Sequence, residues 1–272
     1  MQRLQLAEGA PEGLEVWRLS LGLNAPVADE DDRLLSRAEW QRAQRLRRHA
    51  DVVRAVATRA ALRRLLSAHT GIAPEKLVFT QNAYGKPALE NADGPAFNVS
   101  HSGHVALIAL APGGAVGVDI ERCRPEAELA PLQGLVLSPS EQLGHARDGI
   151  ALPFMERWVV KEAVLKALGL GIADHLRSLS ISITSSLGPP NSYHLEHSLP
   201  VSSPLQAWPL PAPSGYAAAL GYIDSGYVDS GYSHTNAQGK RYSTNFQEIN
   251  NGQPKRNTNA TNQHHIQTSG AC

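Results

Sequence analysis

Two short segments of the 272-residue chain carry the acidic residues best spaced for chemistry. In Gly117-Val118-Asp119-Ile120-Glu121, apolar and polar types alternate, as on a β-strand whose side chains point in turn to opposite faces. Val116, Val118 and Ile120 then enter a core, and Asp119 and Glu121 share the other face, roughly 6–7 Å apart. Two carboxylates at that distance repel each other unless a cation lies between them, and hard oxygen donors suit Mg²⁺ together with water and phosphate. An ordinary half-exposed strand has the same pattern. The second segment is Trp158-Val159-Val160-Lys161-Glu162-Ala163, followed by Lys166. Helix positions four apart share a face, so Trp158, Glu162 and Lys166 form one stripe. Glu162 can add a third carboxylate, and Lys166 can meet phosphate oxygens. A Trp-anchored amphipathic helix with one surface ion pair also fits.

A third segment, Phe97-Asn98-Val99-Ser100-His101-Ser102-Gly103, pairs serine with histidine but lacks the glycine-flanked serine of a hydrolase elbow. Ser100 and His101 can instead donate hydrogen bonds to a ligand phosphate, or simply end a strand in a polar turn. Asn98-Val99-Ser100 also matches a glycosylation sequon, discounted for a cytoplasmic chain. Lys86 lies in Gly85-Lys86-Pro87. Ten arginines occur between positions 33 and 64, opposed only by Glu39 and Asp51. Arginine suits phosphate because its planar fork makes paired hydrogen bonds, although most of the ten fit a solvated helix surface. No aromatic platform accompanies the block, which disfavours nucleic-acid binding through an arginine-rich helix.

The elements that must position these groups follow from periodicity and turn chemistry. Strands are expected at residues 15–21, 76–80, 96–100, 105–111, 115–121, 179–184, 192–196, 205–209 and 216–222. Ser36 and Glu39 have capping-box spacing and open a long helical stretch that breaks near residues 49–51. Beyond the break, Val52, Val56, Leu62, Leu65 and Leu66 fit one apolar face. Ser138-Pro139-Ser140-Glu141 opens another helix. A further helix runs over residues 154–168 and ends at Gly169 and Gly171. The order strand, helices, strands therefore occurs twice, and the fold class is α+β with two halves, residues 1–114 and 115–223. Residues 224–272 hold seven asparagines and almost no aliphatic side chains. Disorder is expected there, because so little apolar surface cannot offset the entropy of ordering.

Composition narrows the class further. The chain is 42% hydrophobic with zero formal net charge, so no global field drives it onto nucleic acid or membrane. No apolar run reaches the roughly 20 residues of a membrane span, and residues 1–13 lack an apolar signal core. A cytoplasmic location is expected. With only Cys123 and Cys272 present, neither a structural disulfide nor a cysteine-based metal site is expected.

Taken in order, the segments at 85–87, 97–103, 117–121 and 158–166 resemble those of the surfactin-synthetase-activating (Sfp) type of 4′-phosphopantetheinyl transferase, over roughly residues 10–222. That resemblance implies two similar halves related by pseudo-twofold symmetry with the active site in the cleft between them. It implies Mg²⁺, with Mn²⁺ as a substitute, on Asp119, Glu121 and Glu162, and coenzyme A as co-substrate. Lys161 and Lys166 fall on its basic positions near the pyrophosphate. Lys86, Ser100 and His101 fall on positions that contact coenzyme A, notably its 3′-phosphate. Arg54 falls at the nucleotide end, and Arg42 and Arg45 near positions where relatives carry basic residues. Glu162, directly or through water, is the implied general base, and Lys166 the group that stabilises the departing adenosine 3′,5′-bisphosphate. The implied acceptor is an apo acyl carrier protein, or a carrier domain of a polyketide or nonribosomal-peptide synthase, docking near residues 122–150. A monomer suffices. A non-catalytic coenzyme A-binding relative is the alternative of a different class.

Overall fold

The computed structural model describes residues 1–90, 93–144, 152–183 and 192–224. The expected disorder of the tail beyond Asp224, residues 145–150 of the expected acceptor region and Thr184 at the end of one expected strand lie outside the described residues. In chain order the strands are β1 (Gln2–Arg3), β2 (Glu15–Ser20), β3 (Phe79–Gln81), β4 (Pro87–Leu89), β5 (Ala96–Ser102), β6 (Val105–Ala111), β7 (Ala115–Arg122), β8 (Leu179–Ser182), β9 (His194–His197), β10 (Leu205–Pro209) and β11 (Tyr216–Ile223). The helices are α1 (Asp29–Asp32), α2 (Arg37–Gln44), α3 (His49–Thr70), α4 (Glu126–Leu129), α5 (Gln133–Val136), α6 (Pro139–Gln142), α7 (Phe154–Leu168) and α8 (Ile172–His175).

The mixed α+β class is as expected, and the duplication is visible in the topology. In the first half, a strand (β2) leads through short helices to a long helix (α3), a small hairpin (β3–β4) and a returning pair (β5–β6). In the second half the same sequence reads β7, α7, β8–β9 and β10–β11. The sheet orders correspond: β2-β6-β5 in the first half, with β1 added outside β2, and β7-β11-β10 in the second. All these pairings are antiparallel.

Burial follows the alternation of side chains. On β6, Ala106, Ile108 and Leu110 pack with Leu62, Leu65 and Leu66 of α3. The alternate residues Val105, Leu107 and Ala109 turn toward Val116, Val118, Ile120 and Leu220 of the second sheet. β6 is therefore apolar on both faces because both are covered, one by a helix and one by the other half. A third cluster fills the space between α7 and the outer face of the second sheet. The layers run helix, sheet, sheet, helix, and the two sheets share one core.

Both capping boxes form, at Ser36 with Glu39 and at Ser138 with Glu141. The helical break, expected near residues 49–51, falls earlier, between Gln44 and His49. Other details also differ from the sequence expectation. The strand expected from residue 76 starts at Phe79, because Pro74 opens a 3₁₀ turn over Pro74–Lys76. The buried face of α3 is also broader and includes Val53, Arg59 and Arg63. Arg63 is 1% exposed. It donates to Glu39 Oε2 at 2.6 Å and to the carbonyls of Pro74 and Leu77 at 2.5 and 3.0 Å. Arg59 pairs with Glu39 at 3.3 Å. Two of the ten clustered arginines thus hold the protein together rather than facing an anion or solvent.

Candidate active site at the seam between the halves

The site is set by how closely α7 lies on the second sheet. Gly117 of β7 and Gly221 of β11 are register partners, and both lie against Ala163. A Cβ on Gly117 would stand 2.0 Å from the Ala163 carbonyl oxygen and 2.4 Å from the Ala167 nitrogen; one on Gly221 would stand 2.7 Å from the same carbonyl oxygen. The glycines and Ala163 therefore let helix and sheet meet backbone to backbone. Glu162 and Lys166, which flank that contact on α7, are held against Asp119 of β7.

Lys166 Nζ donates to Asp119 Oδ1 at 2.6 Å and to Ser100 Oγ at 3.1 Å, and lies 3.6 Å from Glu162 Oε2. The Trp158 indole N–H donates to Glu162 Oε1, so the predicted stripe of Trp158, Glu162 and Lys166 is a chain of contacts. Asp119 is 0% exposed and Glu162 5%. Burial would lower the Lys166 pKa, but the charges of Asp119 and Glu162 hold it above its ordinary range. Burial, and then the Asp119 charge, push Glu162 up to about 7 against the opposing Lys166 charge. Glu121 is raised by burial and by Asp119, with the Ser102 hydroxyl opposing.

The seam itself has an unusual construction. β5 and β7 are edge strands of their respective sheets, and they do not pair as a backbone ladder. Instead, alternate side chains of β5 accept from backbone N–H groups of β7. Val118 donates to Asn98 Oδ1 at 2.9 Å, Ile120 to Ser100 Oγ at 3.4 Å and Arg122 to Ser102 Oγ at 3.1 Å. The two serines donate in turn to the acids between: Ser100 to Asp119 Oδ1 at 2.7 Å, and Ser102 to Glu121 Oε2 at 2.9 Å. A buried edge must have its polar groups satisfied, and here Asn-x-Ser-x-Ser does it. Sequence reading gave Ser100 a phosphate and gave Asn98 and Ser102 no role. The alternating polar residues opposite an acid-x-acid strand were the available signal.

The remaining predicted residues divide between this seam and elsewhere. Arg54 donates to the Gly103 carbonyl at 3.2 Å and pairs with Asp51 at 2.5 Å. It stands close enough to His101 that burial, together with the Arg54 and Lys166 charges, lowers the His101 pKa. Lys86 Nζ crosses from the first half to the second, donating to the carbonyls of Val116 and Ala167 at 3.1 and 2.7 Å. Burial depresses its pKa to about 7. Asn82 also reaches the end of α7, donating to the Gly169 carbonyl at 3.1 Å. Lys161 is turned away from the site: its Nζ is buried and donates to Glu141 Oε2 at 2.5 Å and the Val136 carbonyl at 2.7 Å. Positions 161 and 166 lie on different faces of α7, so only Lys166 reaches the acids. Arg42 and Arg45 are exposed on and just after α2. Arg42 borders a small cleft with Leu46 and Arg59, and Arg45 is the C-cap of the helix.

Residues 115–220 match the model of the 4′-phosphopantetheinyl transferase superfamily, and residues 30–113 match that of the 4′-phosphopantetheinyl transferase N-terminal region. The 4′-phosphopantetheinyl transferase HetI of Nostoc is 32% identical over 177 residues, 63% of this chain and 74% of HetI. The chain belongs to the 4′-phosphopantetheinyl transferase superfamily. The L-aminoadipate-semialdehyde dehydrogenase-phosphopantetheinyl transferase of Eremothecium gossypii is 38% identical over 196 residues, 63% of this chain and 71% of that protein. A Synechocystis protein whose name gives the transferase activity provisionally is 37% identical over 154 residues, and the match spans 61% of its length.

As a member of this superfamily, the chain has a donor set to be tested against a metal ion. Among the described residues, no three His, Cys, Asp or Glu side chains converge closely enough to hold one as they stand. The Lys166 ammonium lies between Asp119 and Glu162, and Glu121 Oε2 accepts from the Ser102 hydroxyl. The chemistry of the set nevertheless fits a hard cation. Asp119 Oδ2 is buried with no hydrogen-bond partner among the described residues, a cost of about 1–3 kcal/mol or more for a charged group. Both neighbouring carboxyls are raised partly by the Asp119 charge. A divalent ion on the three carboxylates would relieve all three penalties.

Proposed function

We propose that the chain moves the 4′-phosphopantetheine arm of coenzyme A onto a serine of an apo carrier protein, releasing adenosine 3′,5′-bisphosphate, as an Sfp-type transferase. The observation that carries this reading is the buried Asp119–Lys166–Glu162 cluster at the seam, with one Asp119 oxygen unsatisfied, in a chain of this superfamily. The substrate diphosphate lies in the cleft between the halves. Asp119, Glu121 and Glu162 hold Mg²⁺ or Mn²⁺; when bound, the ion supplies charge neutralisation to the diphosphate oxygens.

The chain's own residues supply the rest. The carrier serine oxygen bonds to the β-phosphorus as the bond to the bridging oxygen breaks, and its proton leaves to a base. Glu162, directly or through water, is the base for that proton. Lys166, kept charged by its acidic neighbours, stabilises the charge on the departing bisphosphate. His101 and Arg54, beside Gly103 at the turn after β5, bind the 3′-phosphate end, with Lys86 near the end of α7. The carrier docks over residues 122–150, a stretch that exposes Leu135 and Leu143. Among the described residues no helix is long and apolar enough to cross a membrane.

The decisive experiment incubates the full chain with coenzyme A, Mg²⁺ and a panel of apo carrier proteins, read by intact mass. A carrier gaining one phosphopantetheine is the expected result. Coenzyme A binding without mass gain on any carrier would replace this reading with the non-catalytic one.

A further inference from the structure

The second sheet ends at β7, whose edge N–H groups at Val118, Ile120 and Arg122 meet β5 of the first half. Three side chains accept there, at a constant offset of twenty positions: 98 to 118, 100 to 120 and 102 to 122. Two of the three do more than accept. A serine hydroxyl has one proton and two lone pairs, so accepting the β7 N–H directs its proton elsewhere. At Ser100 the proton goes to Asp119 and at Ser102 to Glu121, each the residue just before the N–H that was accepted. The same two-bond clasp thus occurs twice, once on each of the strand acids proposed above as metal ligands.

The two clasps differ in setting. Ser100 and Asp119 are 2% and 0% exposed, and Lys166 reinforces them from α7 at 3.1 and 2.6 Å. Ser102 and Glu121 sit half-buried at the mouth of the seam. Glutamate has one more rotatable bond than aspartate, so Glu121 has the greater freedom to lose. A hydroxyl already fixed by the Arg122 N–H is what selects its orientation. Ligand carboxylates are commonly held by such outer partners, whose loss lowers metal affinity by about 10–100-fold.

We infer that Ser102 is a positioning residue: its hydroxyl, anchored on the Arg122 N–H, holds Glu121 ready for the divalent ion as Ser100 holds Asp119. β5 of the first half thereby sets the carboxylates of the second, and the seam between halves is part of the metal site. This inference rests on the proposed function, since it presumes an ion on Asp119 and Glu121.

The test uses Mn²⁺ as the probe, with the full chain and no coenzyme A, titrated by electron paramagnetic resonance. Ser102→Ala is expected to weaken Mn²⁺ binding by about 10-fold or more, and to raise the Mg²⁺ concentration for half-maximal transfer by a similar factor. At saturating Mg²⁺, its KM for coenzyme A stays within about twofold of wild type. Ser102→Thr keeps the hydroxyl and restores Mn²⁺ binding. A folded Ser102→Ala that binds Mn²⁺ as tightly as wild type overturns the inference. So does a folded Ser102→Thr that loses as much as alanine, because the hydroxyl would then not be the agent. Should Ser102→Ala fail to fold, Ser102→Val against its isostere Ser102→Thr isolates the hydroxyl, and equal Mn²⁺ affinity in the two overturns the inference. Wild-type protein that transfers phosphopantetheine while Ser102→Ala is unchanged leaves the proposed function standing and removes only Ser102. Wild-type protein that neither binds Mn²⁺ nor transfers removes both.

Discussion

Lys166 Nζ lies 2.6 Å from Asp119 Oδ1, so the base of the candidate site is an ion pair between α7 and β7, the edge strand of the second sheet. The acid is 0% exposed. Asp119→Asn keeps the shape of the side chain and removes the charge. Breaking one side of a buried pair costs about 3–5 kcal/mol. Glu162, 3.6 Å from the same ammonium, retains part of the pairing and places the loss at the lower end. Transfer is expected to fall by about 10²-fold or more. Urea unfolding and the intact-mass assay measure the two effects separately. A stable variant with unchanged turnover would take Asp119 out of the chemistry.

The close approach of α7 makes a second expectation. In Gly117→Ala, the new methyl would stand 2.0 Å from one backbone atom and 2.4 Å from another, and neither can rotate aside. Overpacking of a core costs about 1–3 kcal/mol, occasionally more, and backbone neighbours place this case at the top of that range. The helix must shift, and Glu162 and Lys166 shift with it. Both the unfolding midpoint and the transfer rate should drop. A variant as stable and as active as wild type would show that the helix does not rest on this glycine.

Much of this architecture was legible in residue types. Alternation placed Val116, Val118 and Ile120 in a core and Asp119 on the opposite face of β7. Ser36, Glu39, Ser138 and Glu141 announced their helix starts, and the order of elements announced the two halves. What did not show was the destination of polar groups that end up buried. Arg59 and Arg63 read as part of a solvated block because charge runs usually are; only folding brings Glu39 between them. The family resemblance puts Lys161 near the pyrophosphate, yet neighbouring helix positions point about 100° apart, and its partner Glu141 lies twenty residues upstream. Ser100 and Ser102 find their acids nineteen residues ahead, a pairing that needs the meeting of two sheet edges and leaves no periodic trace.

His101 carries the next expectation. It follows Ser100 on β5, close to Arg54, and its pKa is lowered first by burial and then by the Arg54 and Lys166 charges. At neutral pH the ring is therefore a neutral hydrogen-bond donor, and Arg54 supplies the charge for a 3′-phosphate. His101→Ala should weaken coenzyme A by about 1.5–3 kcal/mol, the scale of one hydrogen bond to a charged group, while dephospho-coenzyme A loses far less. Calorimetric titration of both ligands into both proteins measures the difference. Equal losses for the two would move His101 away from the 3′-phosphate.

Glu39 yields a pH dependence remote from the site. Burial would raise its carboxyl, but the Ser36 N–H, the Arg63 hydrogen bond and the charges of Arg59 and Arg63 hold it below its ordinary range. A carboxyl lowered in the folded state binds fewer protons there than in the unfolded chain, so stability rises with pH across the interval between the two values. The Glu39 contribution is complete above the unfolded pKa of about 4.3 and is lost as pH falls through the folded one. Glu39→Gln removes the negative charge that faces both guanidinium groups, one of them 1% exposed and the other 8%. At pH 7 it should cost about 3–5 kcal/mol. That gap between wild type and variant should narrow steadily as urea melts are repeated below pH 5, because acid protonates the wild-type carboxyl. A gap that stays constant down to pH 3 would mean that Glu39 holds these helices by packing alone.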